Sequence, residues 1–99
     1  MIRVLFFHSQ LWVAKFFARL SSSEEVEVWA ASKVQDAKTL ISTRNIKYVI
    51  ILPGTKEMKL DCLETFWWYY KTIRVPEEIL VAAADSATGL TELLKKVCK

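Results

Sequence analysis

Short apolar runs alternate along the chain with segments whose apolar residues recur every three or four positions. Residues 2–7 are rich in branched and aromatic side chains, which predicts a first, buried strand. Helical spacing over 10–20 predicts a helix with one broad buried face, and Ser9 is its candidate N-cap. After a polar break at 21–25, the period of two over 26–30 predicts a shorter strand that suits the edge of a sheet.

The middle of the chain repeats this order. Helical spacing over 33–44 predicts a second helix, which Asn45 can terminate because asparagine tolerates the left-handed conformation. The nearly unbroken apolar run over 46–52 predicts a strand that is buried on both faces of a parallel sheet. Pro53 and Gly54 end that strand.

The last part of the chain contains a segment with two interpretations. Residues 56–74 keep helical spacing, which predicts a helix, although the consecutive aromatic residues 66–70 have a strong strand propensity that would support a different local structure. Pro76 precedes an apolar run that predicts a fourth strand over 79–84. Leucines and a valine at helical spacing over 90–97 predict a closing helix.

The predicted order is therefore βαβαβαβα, which is typical of an α/β protein. Strands that alternate with helices form a parallel sheet through right-handed crossovers. We expect a small, doubly wound sheet of four strands in the order 2-1-3-4, with helices on both faces. The 99 residues suffice for a single flavodoxin-like domain that spans 1–99.

Composition excludes some classes of function. With 53% hydrophobic and 25% charged residues, the chain is a folded protein and not a disordered one. The net charge of +3 is modest and the basic residues are scattered, so we do not expect nucleic acid as a partner. Cys62 and Cys98 have no metal-binding spacing and are expected to be reduced thiols. No apolar stretch reaches the length of a membrane span, so we expect a cytoplasmic protein with no membrane partner.

The loops after the strands hold the candidate binding residues. In an open α/β sheet, these loops meet at the carboxyl-terminal edge, where ligands usually bind. Backbone N–H groups, hydroxyls and an ammonium at this edge could hold a phosphate or a carboxylate. The spacing is not that of a P-loop, and an ordinary turn is the alternative interpretation. The candidate anion-binding residues are Ser9, Gln10, Gly54, Thr55 and Lys56.

His8 is the only histidine, and its chemistry is limited. It cannot form a metal site with two distant thiols, so we expect no metal and no cofactor. A nucleophilic site would pair His8 with Ser9 or Cys62 and would need Asp85 or another carboxylate to orient the imidazole. Adjacent residues on a strand point to opposite sides, which disfavours a pair between His8 and Ser9. We therefore assign no catalytic residue and expect His8 to be a hydrogen-bonded structural residue.

The consecutive aromatic residues 66–70 are the least usual feature of the composition. Five adjacent aromatic side chains cannot all lie on one face of a helix. Exposed aromatic residues are common at the centre of protein interfaces, which makes Phe66, Trp68 and Tyr69 candidate interface residues. A widely buried helix is the alternative interpretation.

Three segments together resemble the receiver domain of two-component response regulators. Residues 2–16 are similar to the first strand and helix of a receiver, 25–32 to its second strand, and 48–54 to its third. The likeness implies a flavodoxin-like fold, which other small modules, including a component of the rotary ATPases, also share. Asp85 and Ser86 are similar to the hydroxyl switch position of receivers.

The chain departs from the receiver pattern at the residues that carry the chemistry. Receivers bind magnesium through an acidic pair after the first strand, where this chain has His8 and Ser9. They are phosphorylated on an aspartate at the end of the third strand, where this chain has Leu52 and Pro53. The resemblance thus implies a degenerate receiver-like module without aspartyl phosphotransfer. We expect a protein-interaction module that associates with itself, and the alternative is a domain that binds a phosphorylated or nucleotide-like anion.

Overall fold

The computed structural model describes residues 1–53, 71–86 and 88–98. These residues form four strands and four helices. In chain order, the elements are β1 (Ile2–Phe7), α1 (Leu11–Ser21), β2 (Val26–Ala31), α2 (Val34–Arg44), β3 (Tyr48–Ile51), β4 (Lys71–Arg74), α3 (Glu77–Ala84) and α4 (Gly89–Val97).

The four strands form one parallel sheet in the order β2-β1-β3-β4. Within it, Val4 of β1 lies opposite Val28 of β2 on one side and Tyr48 of β3 on the other. The predicted α/β class and the strand order 2-1-3-4 are confirmed, and β2 is an edge strand as expected. Asn45 ends α2 in the left-handed conformation, with φ of 54°, as its position in the sequence predicted.

Two clusters of buried side chains cover the two faces of the sheet. Alternate residues of β1 point to opposite faces, so each cluster contains two buried side chains of this strand. The cluster under α1, α3 and α4 consists of Val4, Phe6, Ala14, Ala18, Val26, Ile50, Leu52, Val75, Leu80, Leu90, Leu94 and Cys98. The cluster under α2 consists of Leu5, Phe7, Ala31, Ala37, Ile41, Ile46, Val49 and Ile51.

The predicted position of the fourth strand is wrong. Residues 71–74 form β4, and residues 79–84 belong to the helix α3. Pro76 occupies the N-cap position of this helix, and Glu77 and Glu78 in its first turn complement the positive end of the helix dipole. Three successive alanines favour a helix over a strand, since alanine has the highest helix propensity.

The helix predicted over 56–74 is also wrong at its end, because 71–74 form a strand. The rest of that prediction lies outside the described residues. No helix within the described part of the chain is both long and apolar enough to cross a membrane.

Helix α1 differs from its prediction in its start and in its buried face. Gln10 occupies the N-cap position, and no side chain caps the helix, so the assignment of Ser9 as the N-cap is wrong. The small residues Ala14, Ala18 and Ser21 are the buried ones, because they allow the helix to approach the sheet closely. Of the residues whose helical spacing predicted the buried face, Leu11, Phe16 and Leu20 are exposed instead.

Helices α3 and α4 meet at Gly89, the first residue of α4. A Cβ atom at this position would collide with the backbone carbonyl of Ala83 in the last turn of α3. Glycine is therefore required by the close approach of two backbones, since a backbone atom cannot move aside as the end of a flexible side chain can.

We predict that Gly89→Ala lowers the free energy of unfolding by about 1–3 kcal/mol, as expected when a packed contact is overfilled. Urea denaturation followed by circular dichroism measures the change. Thr88→Ala is the matched control, because Thr88 is exposed and makes no capping hydrogen bond through its side chain. Equal stability of the two variants would contradict the prediction.

Candidate functional site

The carboxyl-terminal edge of the sheet is organised around His8, which follows β1 directly. Its Nδ1 accepts a hydrogen bond of 2.9 Å from the backbone N–H of Gln10. Its Nε2 lies 3.1 Å from the backbone carbonyl oxygen of Pro53, which follows β3. The ring is buried, with 6% of the residue exposed. His8 thus joins the end of β1 to the start of α1 and to the end of β3.

These partners determine the tautomer of the ring. A backbone N–H can only donate, so Nδ1 must carry the lone pair, and the proton of the neutral ring lies on Nε2 and is donated to Pro53. Both ring nitrogens therefore have backbone partners. The expectation that His8 is a hydrogen-bonded structural residue is confirmed.

The nucleophilic site considered from the sequence does not match this geometry. Asp85 follows the last turn of α3 rather than a strand, and no nitrogen of His8 is left for a carboxylate to orient. The likeness of Asp85 and Ser86 to the receiver hydroxyl switch is wrong for the same reason, because it required a strand before them. No group of three His, Cys, Asp or Glu side chains in the described ranges could hold a metal ion.

The predicted anion site is only partly covered by the structure. Ser9 and Gln10 are exposed beside His8, but the backbone N–H of Gln10 is already bonded to the imidazole. Gly54, Thr55 and Lys56 lie outside the described residues, so the anion site stays a prediction. The candidate interface residues Phe66, Trp68 and Tyr69 also lie outside them, and that interface likewise stays a prediction.

A cleft of about 460 Å³ lies at the opposite, amino-terminal edge of the sheet. Arg3, Lys47 and Tyr48 are among the described residues that line it, and none of these lining residues is acidic. Arg3 donates a hydrogen bond of 3.2 Å to the backbone carbonyl of Arg44, which orients its guanidinium. The cleft lies at the opposite edge of the sheet from Ser9 and Gln10, the two candidate anion-binding residues that the structure describes.

The outer face of α1 carries large apolar side chains that the sequence did not single out. Trp12, Phe16 and Leu20 are 69%, 55% and 42% exposed. Their spacing of four residues places them in one row along the helix, and this row lies opposite the buried Ala14 and Ala18. We call these three residues the α1 stripe.

The stripe lies on a helix that is held firmly in place. Ser21 donates a hydrogen bond of 2.6 Å to the carbonyl of Phe17, and Thr91 of α4 donates one of 3.0 Å to the carbonyl of Ser21. The ring of Phe17 is half-buried and meets Phe16 edge to face, with the ring centroids 5.4 Å apart. Such a contact restricts an exposed aromatic side chain to fewer orientations.

Exposed charges accompany the apolar residues on α1 and on α3. Lys15 and Arg19 are exposed beside the α1 stripe, and α1 contains no acidic residue. On α3, Glu77 and Glu78 are exposed, and α3 contains no basic residue. The same helix exposes 49% of Ile79 and 52% of Val81.

One signal in the sequence could have revealed the α1 stripe. Residues 11–21 are apolar around almost the whole circumference of the helix, interrupted only by Lys15, Arg19 and Ser21. A helix of this kind needs cover on more than one side, whereas one face of a sheet covers only one. The breadth of the apolar pattern therefore indicated that some of its large side chains would remain exposed.

Comparisons with known proteins add a fold neighbour and no family. The sequence matches no protein-family model, and no curated protein matches it either. Among solved structures, it is similar to a de novo designed Rossmann 2x3 fold protein whose structure was determined by solution NMR. The two are 15% identical, the match covers 100% of this chain and 94% of the design, and the TM-score is 0.49. The α/β class follows from the strand pairing itself.

We predict that His8→Ala lowers the free energy of unfolding by about 1–3 kcal/mol, because it leaves the N–H of Gln10 and the carbonyl of Pro53 without their partner. His8→Asn should lower the free energy of unfolding by less, since the Oδ1 of asparagine can still accept the hydrogen bond from the N–H of Gln10. Urea denaturation measures both variants.

Ser9→Ala is the control for this series, because Ser9 is the exposed neighbour of His8 and its change should stay within about 0.5 kcal/mol. If His8→Ala were as stable as this control, the hydrogen bonds of His8 would not stabilise the carboxyl-terminal edge of the sheet.

Proposed function

We propose that this chain is a non-enzymatic, cytoplasmic protein-interaction module that associates with itself through helix α1. The single observation that carries the proposal is the α1 stripe, in which Trp12, Phe16 and Leu20 are all at least 42% exposed. Large apolar side chains that lie in one row on a surface mark a site of protein contact. Tryptophan in particular is enriched among the residues that dominate binding energy.

Burial of this stripe would provide a substantial driving force. A fully buried aromatic side chain removes about 150–250 Å² of surface from water. At about 25 cal/mol per Å², the exposed parts of Trp12 and Phe16 alone are worth several kcal/mol before the costs of association. The edge-to-face contact between Phe16 and Phe17 lowers one of these costs, since it orders Phe16 before a partner binds.

The occupant that fits the stripe is a second copy of this chain. The surface beside the stripe is basic, at Lys15 and Arg19, and the exposed Val81 of α3 lies beside Glu77 and Glu78. One molecule therefore has a basic apolar surface on α1 and an acidic apolar surface on α3, which are complementary in charge. Complementary charges around an apolar centre are typical of specific interfaces.

The resemblance to receiver domains is part of this proposal. A receiver-like module that lacks the phosphoacceptor would keep the fold and act through its surfaces alone. Two features support this interpretation. The end of β1 holds a His8 whose two ring nitrogens have backbone partners, and the end of β3 is followed by the buried Leu52 where an acceptor aspartate would be needed.

We predict that the chain is dimeric and that Trp12→Ala with Phe16→Ala raises the dissociation constant of the dimer at least about thirtyfold. This factor corresponds to about 2 kcal/mol, the usual loss when a dominant interface residue is truncated. Size-exclusion chromatography with light scattering over a dilution series measures it. The urea midpoint of the monomer should hardly change, because both side chains are exposed in it.

Gln35→Ala is the control, since Gln35 is exposed on α2, on the other side of the sheet, and should leave the dissociation constant unchanged. Trp68→Ala tests the predicted aromatic interface residues separately. A chain that stays monomeric at high concentration would contradict the proposal. Sedimentation of such a monomer with anionic vesicles, abolished by the Trp12 and Phe16 changes, would identify a lipid surface as the occupant instead.

A further inference from the structure

The charges on α1 and α3 have opposite signs and are not mixed. The only charged residues of α1 are Lys15 and Arg19, and the only charged residues of α3 are Glu77 and Glu78. All four are exposed. Among the described residues the one ion pair is between Lys95 and Glu25, so none of these four charges is paired with another described residue.

Both helices also expose apolar residues, and α3 as a whole is as long as the α1 stripe. The α1 stripe extends over eight residue steps, or about 12 Å along the helix, and α3 has the same length of about 12 Å. Ile79 and Val81 of α3 are about half exposed. Residues two apart on a helix point about 160° away from each other, so of these two only Val81 lies on the side of α3 that carries Glu77 and Glu78.

The positions of the two helices allow a reciprocal contact. Helices α1 and α3 lie on the same face of the sheet, because Ala14, Ala18 and Leu80 belong to one core cluster. Helix α4 contacts both of them and holds them in a fixed arrangement. When two complementary patches lie on one face, two copies related by a twofold axis can satisfy both patches at once.

A contact between the α1 helices of two copies would be less favourable. Helix α1 offers no acidic side chain, so the cations of one copy would find no partner on α1 of the other copy in any orientation. In an antiparallel twofold pair, all four cations would lie on the same side of the contact. Like charges that are brought together in an interface oppose association.

We propose that the dimer is isologous and that α1 of each copy packs against α3 of the other, so that the contact occurs twice. This inference rests on the proposed self-association and specifies its partner surface. The α1 stripe then lies against Val81 of the second copy, and Lys15 and Arg19 lie near its Glu77 and Glu78.

Charge reversal tests the pairing of the helices. The α1 variant carries Lys15→Glu and Arg19→Glu, and the α3 variant carries Glu77→Lys and Glu78→Lys. Each variant alone places like charges opposite each other at both contacts, so its dissociation constant should rise at least tenfold at low salt. An equimolar mixture of the two variants should form a heterodimer, because both of its contacts are again between opposite charges.

A chain with all four substitutions provides the internal control. It keeps the net charge of +3 of the original chain, so a change in overall charge cannot explain its behaviour. Its dissociation constant should return to within about threefold of the original value, since the charges are exchanged between the helices and remain complementary. Sedimentation velocity at low and high salt measures all of these constants.

The outcomes separate this inference from the proposed function on which it rests. If the α3 variant dimerises as tightly as the original chain, while Trp12→Ala with Phe16→Ala abolishes the dimer, the pairing with α3 is overturned and self-association through α1 stands. A mixture that forms no heterodimer, or a fourfold variant that stays weak, overturns the pairing as well. If the original chain is monomeric, both proposals fail.

Reversal at Glu77 and Glu78 also opposes the dipole of α3, so folding must be monitored by circular dichroism. If the helix content of the α3 variant falls, Glu77→Gln with Glu78→Gln replaces it and removes the charges without reversing them. The dissociation constant should then rise about threefold or more. An unchanged constant overturns the pairing with α3.

Discussion

The whole structure depends on the burial of β1 on both faces. Val4 to Phe7 expose 2% of their surface or less, and β1 pairs with β2 on one side and β3 on the other. A strand in this position has apolar side chains on both faces and no open edge. Helices must therefore cover both faces of the sheet. This requirement places α2 on one face and α1, α3 and α4 on the other.

The packing of α1 on this sheet decides which of its side chains reach the surface. Ala14, Ala18 and Ser21 lie against the strands, and their small size lets the helix approach the sheet closely. The large side chains of α1 cannot occupy the same space, so Trp12 and Phe16 lie outside. The apolar surface on which the proposed function rests is thus a consequence of how the core is packed.

Several features were predictable because they depend on neighbouring residues. The first and third strands follow from apolar runs, the second follows from a period of two, and the left-handed end of α2 follows from Asn45. The strand at 79–84 was predicted wrongly, although Pro76, the two glutamates after it and the alanines indicated the start of a helix. The apolar composition of this short run does not distinguish a strand from a helix, whereas the residues at its amino-terminal end do.

The sequence by itself determined the α/β class, the strand order and the lack of the receiver's acidic residues, since these depend on local periodicity and residue identity. Only the tertiary structure decided the role of His8, whose ring nitrogens bond to Gln10 and to the distant Pro53. It also decided which face of α1 is buried. A helical pattern shows that a helix has apolar faces, but the sheet selects the one that it covers, and the side chains on the opposite face stay exposed.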